Sequence, residues 1–143
     1  MANSLTNPAP GLLQTNLITP PPYFVGFNTV DNPQPPYSLT NVELVKRDIL
    51  NQFYTVPGER VMLPSFGSRI PYLLMDPFDT TTKDAIVEDA IRVVQSEPRV
   101  RMVNINVFEK DQAITLVITL MFLPESKQED LFVNFAIQNK DTF

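Results

Sequence analysis

The sequence predicts one α+β domain, in which an antiparallel three-stranded sheet carries two main helices on one face, preceded by an extended proline-rich N-terminal arm. Three observations predict this class. Proline is concentrated at the start of the chain, the hydrophobic pattern that follows has the period of a helix, and the pattern after residue 100 alternates as in a strand. A chain of 143 residues has room for one ordinary domain. We therefore assign residues 1–38 to the arm and residues 39–143 to the domain.

The arm holds eight of the fourteen prolines and a single charged residue, Asp31. Proline at this density prevents a helix and removes backbone donors, which favours an extended or turn-rich chain. The segment is nevertheless rich in apolar side chains, and its aromatic residues are Tyr23, Phe24, Phe27 and Tyr37. We expect an arm that docks along other subunits through these aromatic residues. The alternative is a linker whose aromatic residues fold back on the domain.

The first long helix should begin at a capping box, because Thr40 and Glu43 have the spacing at which each side chain caps the other's backbone. Apolar residues then recur on one helical stripe, which should end near Pro57-Gly58. The stripe consists of Val42, Val45, Ile49 and Phe53. A loop-rich stretch follows, with a short helical turn expected around Arg69–Met75.

The second long helix should begin near Thr81 or Thr82 and end before Pro98. Its apolar residues fill one continuous arc, and packing onto the core is sufficient to explain them. The apolar arc consists of Ile86, Val87, Ala90, Ile91, Val93 and Val94. The polar arc consists of Asp84, Glu88, Asp89, Arg92, Gln95 and Ser96.

Three strands should follow, because apolar and polar residues alternate over Met102–Phe108, Ile114–Phe122 and Leu131–Gln138. A short turn at Glu109–Gln112 joins the first two strands, which should therefore be antiparallel. One face of the sheet is apolar, and the other is half apolar without any charge, which favours partial cover by a partner. The second face consists of Met102, Asn104, Asn106, Phe108, Thr115, Val117, Thr119, Met121, Phe132, Asn134 and Ala136.

At least one edge of this sheet should be open, since three strands cannot close a barrel. Neither outer strand has the internal lysine or proline with which proteins protect an edge. An open edge can accept a strand from another chain through main-chain hydrogen bonds. The alternative is that a loop or the N-terminal arm covers it.

The composition excludes several classes of function. The formal net charge of −5 argues against broad binding to nucleic-acid phosphates. The absence of Cys and His excludes disulfides, thiolate catalysis, Cys or His metal sites and a Ser-His-Asp triad. No apolar run approaches the roughly 18 residues of a membrane span, and the N-terminus lacks a signal-peptide pattern. We expect a chain made in a cytoplasm, with no cofactor and no metal.

An ordered series of short motifs runs through the middle of the domain. It consists of Gly58-Glu59-Arg60, then Pro64 to Gly67, then Glu97-Pro98-Arg99 immediately before the alternating strands. This ordered set resembles the baseplate wedge family of contractile-tailed phages, historically labelled tail lysozyme-like and also found in tailocin and type VI secretion baseplates. The resemblance covers about residues 40–138 and leaves out the arm.

The resemblance implies a structural sheath initiator in the virion tail baseplate, assembled in the host cytoplasm with six copies per baseplate. The implied partners are the tail sheath protein and the wedge core-bundle proteins, with tail tube or hub proteins as further candidates, and neither nucleic acid nor membrane. By match, the core-bundle contact falls on Glu97, Pro98 and Arg99, with Glu59 and Arg60 beside them. A strand of the first sheath ring would add to the sheet at an edge formed by Val103, Ile105, Val107, Leu131, Val133 and Phe135.

The charged motif residues also have local explanations. Glu97 could form an internal salt bridge with Arg60 or Arg99 that serves stability alone. The older family label invites a glycosidase interpretation, for which Glu59, Glu97 and Asp76 are the candidate carboxylates. A neighbouring arginine would lower a carboxyl pKa, which is the wrong direction for a general acid. We therefore expect no enzymatic activity, and a soluble regulatory adaptor on the same fold stays open as an alternative.

Overall fold

The computed structural model describes residues 24–27, 38–111 and 113–136. The predicted aromatic residues Tyr23 and Tyr37 and the end of the third predicted strand lie outside these ranges. The elements are β1 (Val25–Phe27), β2 (Ser38–Thr40), α1 (Asn41–Tyr54), α2 (Ile70–Leu73), α3 (Thr80–Gln95), β3 (Val100–Lys110), β4 (Ala113–Phe122) and β5 (Lys127–Ala136). In the described part of the chain, no helix is both long and apolar enough to cross a membrane.

β3, β4 and β5 form an antiparallel sheet in that order, with β4 in the centre. The structure confirms the α+β class and the antiparallel three-stranded sheet with helices. The outer strands are longer than expected, since β3 begins at Val100 and β5 begins at Lys127. β4 alternates strictly between buried and half-buried residues, as a central strand does when helices cover one face of its sheet.

The core lies between this sheet and the two long helices, and the predicted helical stripes supply its helical side. Burial of one Leu, Ile or Phe side chain contributes about 1.5–3 kcal/mol, so this layer is the main source of stability. From the helices it contains Val45, Ile49, Phe53, Ile86, Ala90, Val93 and Val94. From the sheet it contains Val100, Ile114, Leu116, Ile118, Leu120, Phe122, Leu131, Val133 and Phe135.

Backbone bonds from the arm, rather than a capping box, hold the start of α1. Thr40 is the N-cap residue, as predicted, but its side chain makes no capping hydrogen bond, so the predicted capping box was wrong. Asn41, at a φ of 46°, accepts the Phe24 N–H at its Oδ1 (3.2 Å) and donates its own N–H to the Phe24 carbonyl (2.9 Å). These bonds follow from the pairing of β1 with β2. Phe24 also packs against the core, so part of the predicted arm lies on the domain.

α3 begins at Thr80, just before the predicted start, because Asp79 caps it. The Asp79 carboxylate accepts the backbone N–H of Thr82 at 2.8 Å. This hydrogen bond favours the ionised form and holds the pKa of Asp79 below its ordinary value.

β3 contains a bulge between Met102 and Asn104, where its register with β4 shifts. One extra residue reverses the side-chain alternation, so Met102 packs against the core and Val103 is 50% exposed. The faces predicted for these two residues were therefore wrong. Beyond the bulge, Ile105 and Val107 return to the core side as expected.

Candidate protein-interaction surfaces

Glu97, Pro98 and Arg99 lie in the turn between α3 and β3. Arg99 donates from Nε and Nη2 to the two carboxylate oxygens of Glu97, at 2.6 and 2.7 Å. Its Nη2 also donates to Asp48 of α1 at 2.7 Å. The internal salt bridge considered for Glu97 therefore exists in the single chain, with Arg99 as the partner. Asp48 could not be predicted as a partner, because it lies 51 residues from Arg99 in the chain.

The electrostatics of this pair do not fit acid catalysis. Burial desolvates the Glu97 carboxylate and raises its pKa, but the hydrogen bonds and charge of Arg99 outweigh it, so the pKa of Glu97 lies below its ordinary value. The hydrogen bonds that Arg99 donates to Glu97 in turn raise the pKa of Arg99. A carboxyl group with a lowered pKa is ionised at neutral pH and has no proton to give.

An open polar pocket brings Arg60 together with the Glu97–Arg99 pair. Arg60 places its guanidinium 4.0 Å from the centroid of the Phe66 ring, a cation–π contact. Glu59 instead accepts the backbone N–H of Val56 at 3.0 Å and closes the turn after α1. The pocket is lined by Asp48, Asn51, Gln52, Arg60, Phe66, Glu97 and Arg99.

Beside this pocket, the loop between α1 and α2 presents three consecutive apolar residues to solvent. Val61 and Met62 are 92% and 93% exposed, and Leu63 is 49% exposed. We call Val61–Leu63 the loop tip. Contiguous exposed apolar residues commonly mark a protein-interaction surface. The sequence analysis missed them, although an apolar run between Arg60 and Pro64 in a loop was a usable signal.

Asp89 fixes the base of this loop to α3. The residue is 0% exposed, and its carboxylate accepts the Ser68 hydroxyl at 2.8 Å, the Arg69 N–H at 2.7 Å and the Arg92 side chain at 2.8 and 3.0 Å. Burial raises the pKa of Asp89, but these hydrogen bonds outweigh it and lower the pKa below its ordinary value. Asp89 belongs to the polar arc of α3 but is buried, because its partners in the loop come from a distant segment.

Two hydrogen bonds reveal which backbone groups of the sheet point outward. The Tyr54 hydroxyl donates to the carbonyl of Asn134 on β5 at 3.2 Å, and the N–H of Ile105 on β3 donates to the Asn104 side chain at 2.9 Å. Both groups therefore point away from β4. In an antiparallel pair, successive residues direct their backbone groups alternately toward and away from the partner strand. Thr115 of β4 is paired with Phe108 of β3 on one side and with Asn134 of β5 on the other. With this register, the alternation that points Asn134 outward on β5 also points Ile105 outward on β3.

This alternation assigns the outward backbone groups of both edge strands. On β3 they include those of Ile105 and Val107, while Val103 lies in the bulge. On β5 they belong to Asp130, Phe132 and Asn134, whose side chains lie on the outer face. The predicted β5 residues, Leu131, Val133 and Phe135, are buried in the core and direct their backbone groups to β4.

Comparison with known protein families assigns this chain to one of them. Residues 40–126 match the family model of the baseplate wedge protein gp25. The chain belongs to this family. No curated protein matches it.

Solved structures show the same fold for this gp25-family chain. A proposed tail lysozyme of Geobacter sulfurreducens aligns with a TM-score of 0.63 and 20% identity, over 68% of this chain and 92% of that one. A chain of the postcontracted baseplate of pyocin R2 aligns with a TM-score of 0.60 and 20% identity, over 71% of this chain and 100% of that one. The gp25 family is a structural baseplate family, which gives this member a structural role in a baseplate.

The sequence predicted an outer face without any charge, and for this gp25-family chain that prediction was wrong. Because β5 begins at Lys127, Asp130 lies on this face and accepts the Thr119 hydroxyl at 2.7 Å. Phe108 and Phe132 lie exposed on this face.

Of the four aromatic residues predicted for arm docking, two are described. The ring of Phe24 packs on the domain, with the Arg99 guanidinium 5.3 Å from its centroid. Phe27 is exposed. Docking of the arm of this gp25-family chain on other subunits stays a prediction.

Proposed function

We propose that this gp25-family chain is a sheath initiator with two surfaces, one for the sheath and one for the wedge. An edge of its sheet receives an extended strand from the first sheath ring, and the pocket with the loop tip anchors the chain to the wedge core bundle. Family membership supports a structural baseplate role. The observation that carries the strand addition is the row of outward backbone groups on both edge strands.

Strand addition also accounts for how such a chain would organise a ring. Main-chain hydrogen bonds supply affinity, and the pairing register fixes where each residue of the incoming strand lies. A slip by one residue would turn every incoming side chain to the opposite face of the sheet. Six copies per baseplate would thereby impose one register and one symmetry on the first sheath ring.

The proposed wedge anchor combines two kinds of surface, the polar pocket and the apolar loop tip. Glu97 and Arg99 satisfy each other, so they supply a fixed shape and few free donors. Val61 and Met62 supply apolar surface, and each side chain buried by a partner would contribute about 1.5–3 kcal/mol. Arg60 beside them can reach a partner carboxylate.

Assembly in producing cells tests the strand addition. The double variant Ile105→Pro/Phe132→Pro removes one outward N–H from each edge while leaving the pairing with β4 intact. We expect purified particles that contain the variant chain in their baseplates and carry no sheath. Circular dichroism and the Tm of the purified variant control for folding. Sheathed particles at the wild-type frequency would contradict the proposal.

We further propose that the chain has no catalytic function and is not a regulatory adaptor. The best carboxylate candidate, Glu97, is held ionised by Arg99. Peptidoglycan hydrolysis by the purified chain that disappears in Glu97→Gln would overturn the first statement. A one-to-one complex with a regulatory protein, in place of sixfold assembly with the wedge, would overturn the second.

A further inference from the structure

We infer that β5, and not β3, is the edge that receives the partner strand, and that a groove beside its C-terminal half takes an apolar side chain of that strand. This inference rests on the proposed strand addition and names its site. The partner is an extended segment of the sheath subunit with apolar residues at alternate positions.

The β3 edge carries two features that hinder pairing. Its bulge between Met102 and Asn104 interrupts the regular spacing of donors and acceptors, a device by which natural edge strands avoid unwanted pairing. Its outward N–H at Ile105 is already bonded to the Asn104 side chain. An incoming strand would have to displace this amide and follow an irregular edge.

The β5 edge is regular along its whole length. Its pairing with β4 runs from Lys127 to Ala136 without a register shift. Outward groups therefore recur at every second residue, at Asp130, Phe132 and Asn134, which is the spacing an added strand requires. The Tyr54 hydroxyl uses one acceptor position of the Asn134 carbonyl, and a carbonyl has two lone pairs.

A groove adjoins the outward groups of β5 on the core side of the sheet, between the ends of α1 and α2. Side chains of an added strand alternate between the two faces of the sheet, so those on the core side enter this groove. Met75 on its rim is 79% exposed, which leaves apolar surface for the partner to bury. The groove is lined by Tyr54, Pro71, Leu74, Met75, Asn134, Phe135 and Ala136.

Charged side chains at the start of β5 limit the part of this strand with which a partner strand can pair. Glu129 forms ion pairs with Lys127 and with Lys46 of α1, so charged side chains occupy the core side there. Beyond Asp130 the described residues of β5 are uncharged. The segment that pairs with Asp130–Ala136 should therefore be uncharged, with an apolar residue facing the groove.

The occupant we assign is foreign to this chain. The part of the arm that the structure describes, β1, pairs with β2 beside the start of α1 and not with β5. An extended sheath segment is the partner that the proposed function supplies, and an extended chain is what a row of alternating donors and acceptors can bind.

Matched proline variants separate the two edges. Phe132→Pro removes an outward N–H of β5, and Ile105→Pro removes an outward N–H of β3. We expect Phe132→Pro to reduce the sheathed fraction of chain-containing particles by about tenfold or more, while Ile105→Pro leaves it at the wild-type value. Phe132→Ala separates loss of the side chain from loss of the donor, and the Tm of each purified variant controls for folding.

The outcomes distinguish this inference from the proposed function. Sheath loss with Ile105→Pro alone would overturn the assignment of β5 and leave strand addition standing. Wild-type sheath with both single variants and with the double variant would overturn strand addition itself.

A charge in the groove gives a second test that does not depend on proline. Met75→Asp alters an exposed side chain and should reduce the sheathed fraction without lowering the Tm. Val103→Asp places the same charge at an exposed apolar residue of β3, which is 50% exposed, and should have no effect on the sheath. Loss of sheath with Val103→Asp but not with Met75→Asp would contradict the inference.

Cross-linking identifies the occupant directly. The chain contains no cysteine, so Ala136→Cys provides a unique attachment point for a benzophenone label at the end of β5. In assembled sheathed particles we expect a photo-cross-link to the sheath subunit. A cross-link confined to this chain's own residues, or to a second copy, would overturn the assignment.

Discussion

At the scale of single residues, Asp89 connects α3 to the base of the loop between α1 and α2. Its buried carboxylate joins α3 to Ser68 and Arg69 at the base of the loop. Asp89→Asn keeps the size of the side chain but removes the charge that balances Arg92. We expect the free energy of unfolding to fall by about 3 kcal/mol, measured by urea denaturation. Glu88→Gln, an exposed neighbour on the same helix, should change it by less than about 0.5 kcal/mol.

The lowered pKa of Asp89 also predicts how stability depends on pH. A carboxyl whose pKa is lower in the folded state stabilises the protein above its unfolded pKa, for which the reference value is 3.8, and this contribution is lost as pH falls through the folded pKa. Acid should therefore destabilise the wild type more than Asp89→Asn, which lacks this titration. Parallel curves of unfolding free energy against pH for the two proteins would contradict this assignment.

Gly67, at the base of the same loop, has a backbone conformation that favours glycine. Its φ is +123°, and a Cβ atom at this position would lie 2.4 Å from the Thr55 carbonyl oxygen. Gly58 also has a positive φ, of +95°, but a Cβ atom there would meet nothing. Gly58→Ala should cost about 1–2 kcal/mol of backbone strain, and Gly67→Ala should cost more because the clash adds to the strain. Equal Tm values for the two variants would contradict this.

At the scale of elements, adjacent residues of β5 direct their backbone groups in opposite directions, one toward β4 and the next away from it. The N–H of Val133 bonds toward β4, whereas that of Phe132 points outward. Val133→Pro should therefore leave a β4 carbonyl unpaired in the sheet and destabilise the fold by about 2 kcal/mol more than Phe132→Pro. Urea denaturation of the two purified variants measures the difference. A larger loss of stability in Phe132→Pro would mean that the assigned alternation is reversed.

The elements also differ in how far the sequence could predict them. The types and order of α1, α3 and the three long strands could be predicted, because the hydrophobic period of each segment depends only on residues within that segment. The bulge in β3 and the early start of β5 did not follow, because each depends on the partner strand. Val103 is apolar and sits in an alternating run, and nothing local distinguishes it from a core residue.

At the scale of the whole molecule, the proposed wedge anchor and the proposed sheath edge lie on different elements and should be separable. Val61→Ser/Met62→Ser changes only exposed side chains, so it should keep the Tm while reducing the amount of this chain in purified baseplates. Met75→Asp should keep that amount and reduce the sheathed fraction. Quantitative mass spectrometry of the particles, combined with electron microscopy, measures both. Loss of both readouts in each variant would show that the two surfaces act as one.

By itself, the sequence determined the α+β class, the buried faces of the helices and of β4, and the baseplate family, because these depend on residues close together in the chain or on an ordered set of motifs. The tertiary structure alone decided the burial of Asp89, the contact of Arg99 with Asp48 and the outward groups of β5. Each of these depends on which distant segment approaches. A hydrogen-bond partner or a strand register has no local pattern that records it.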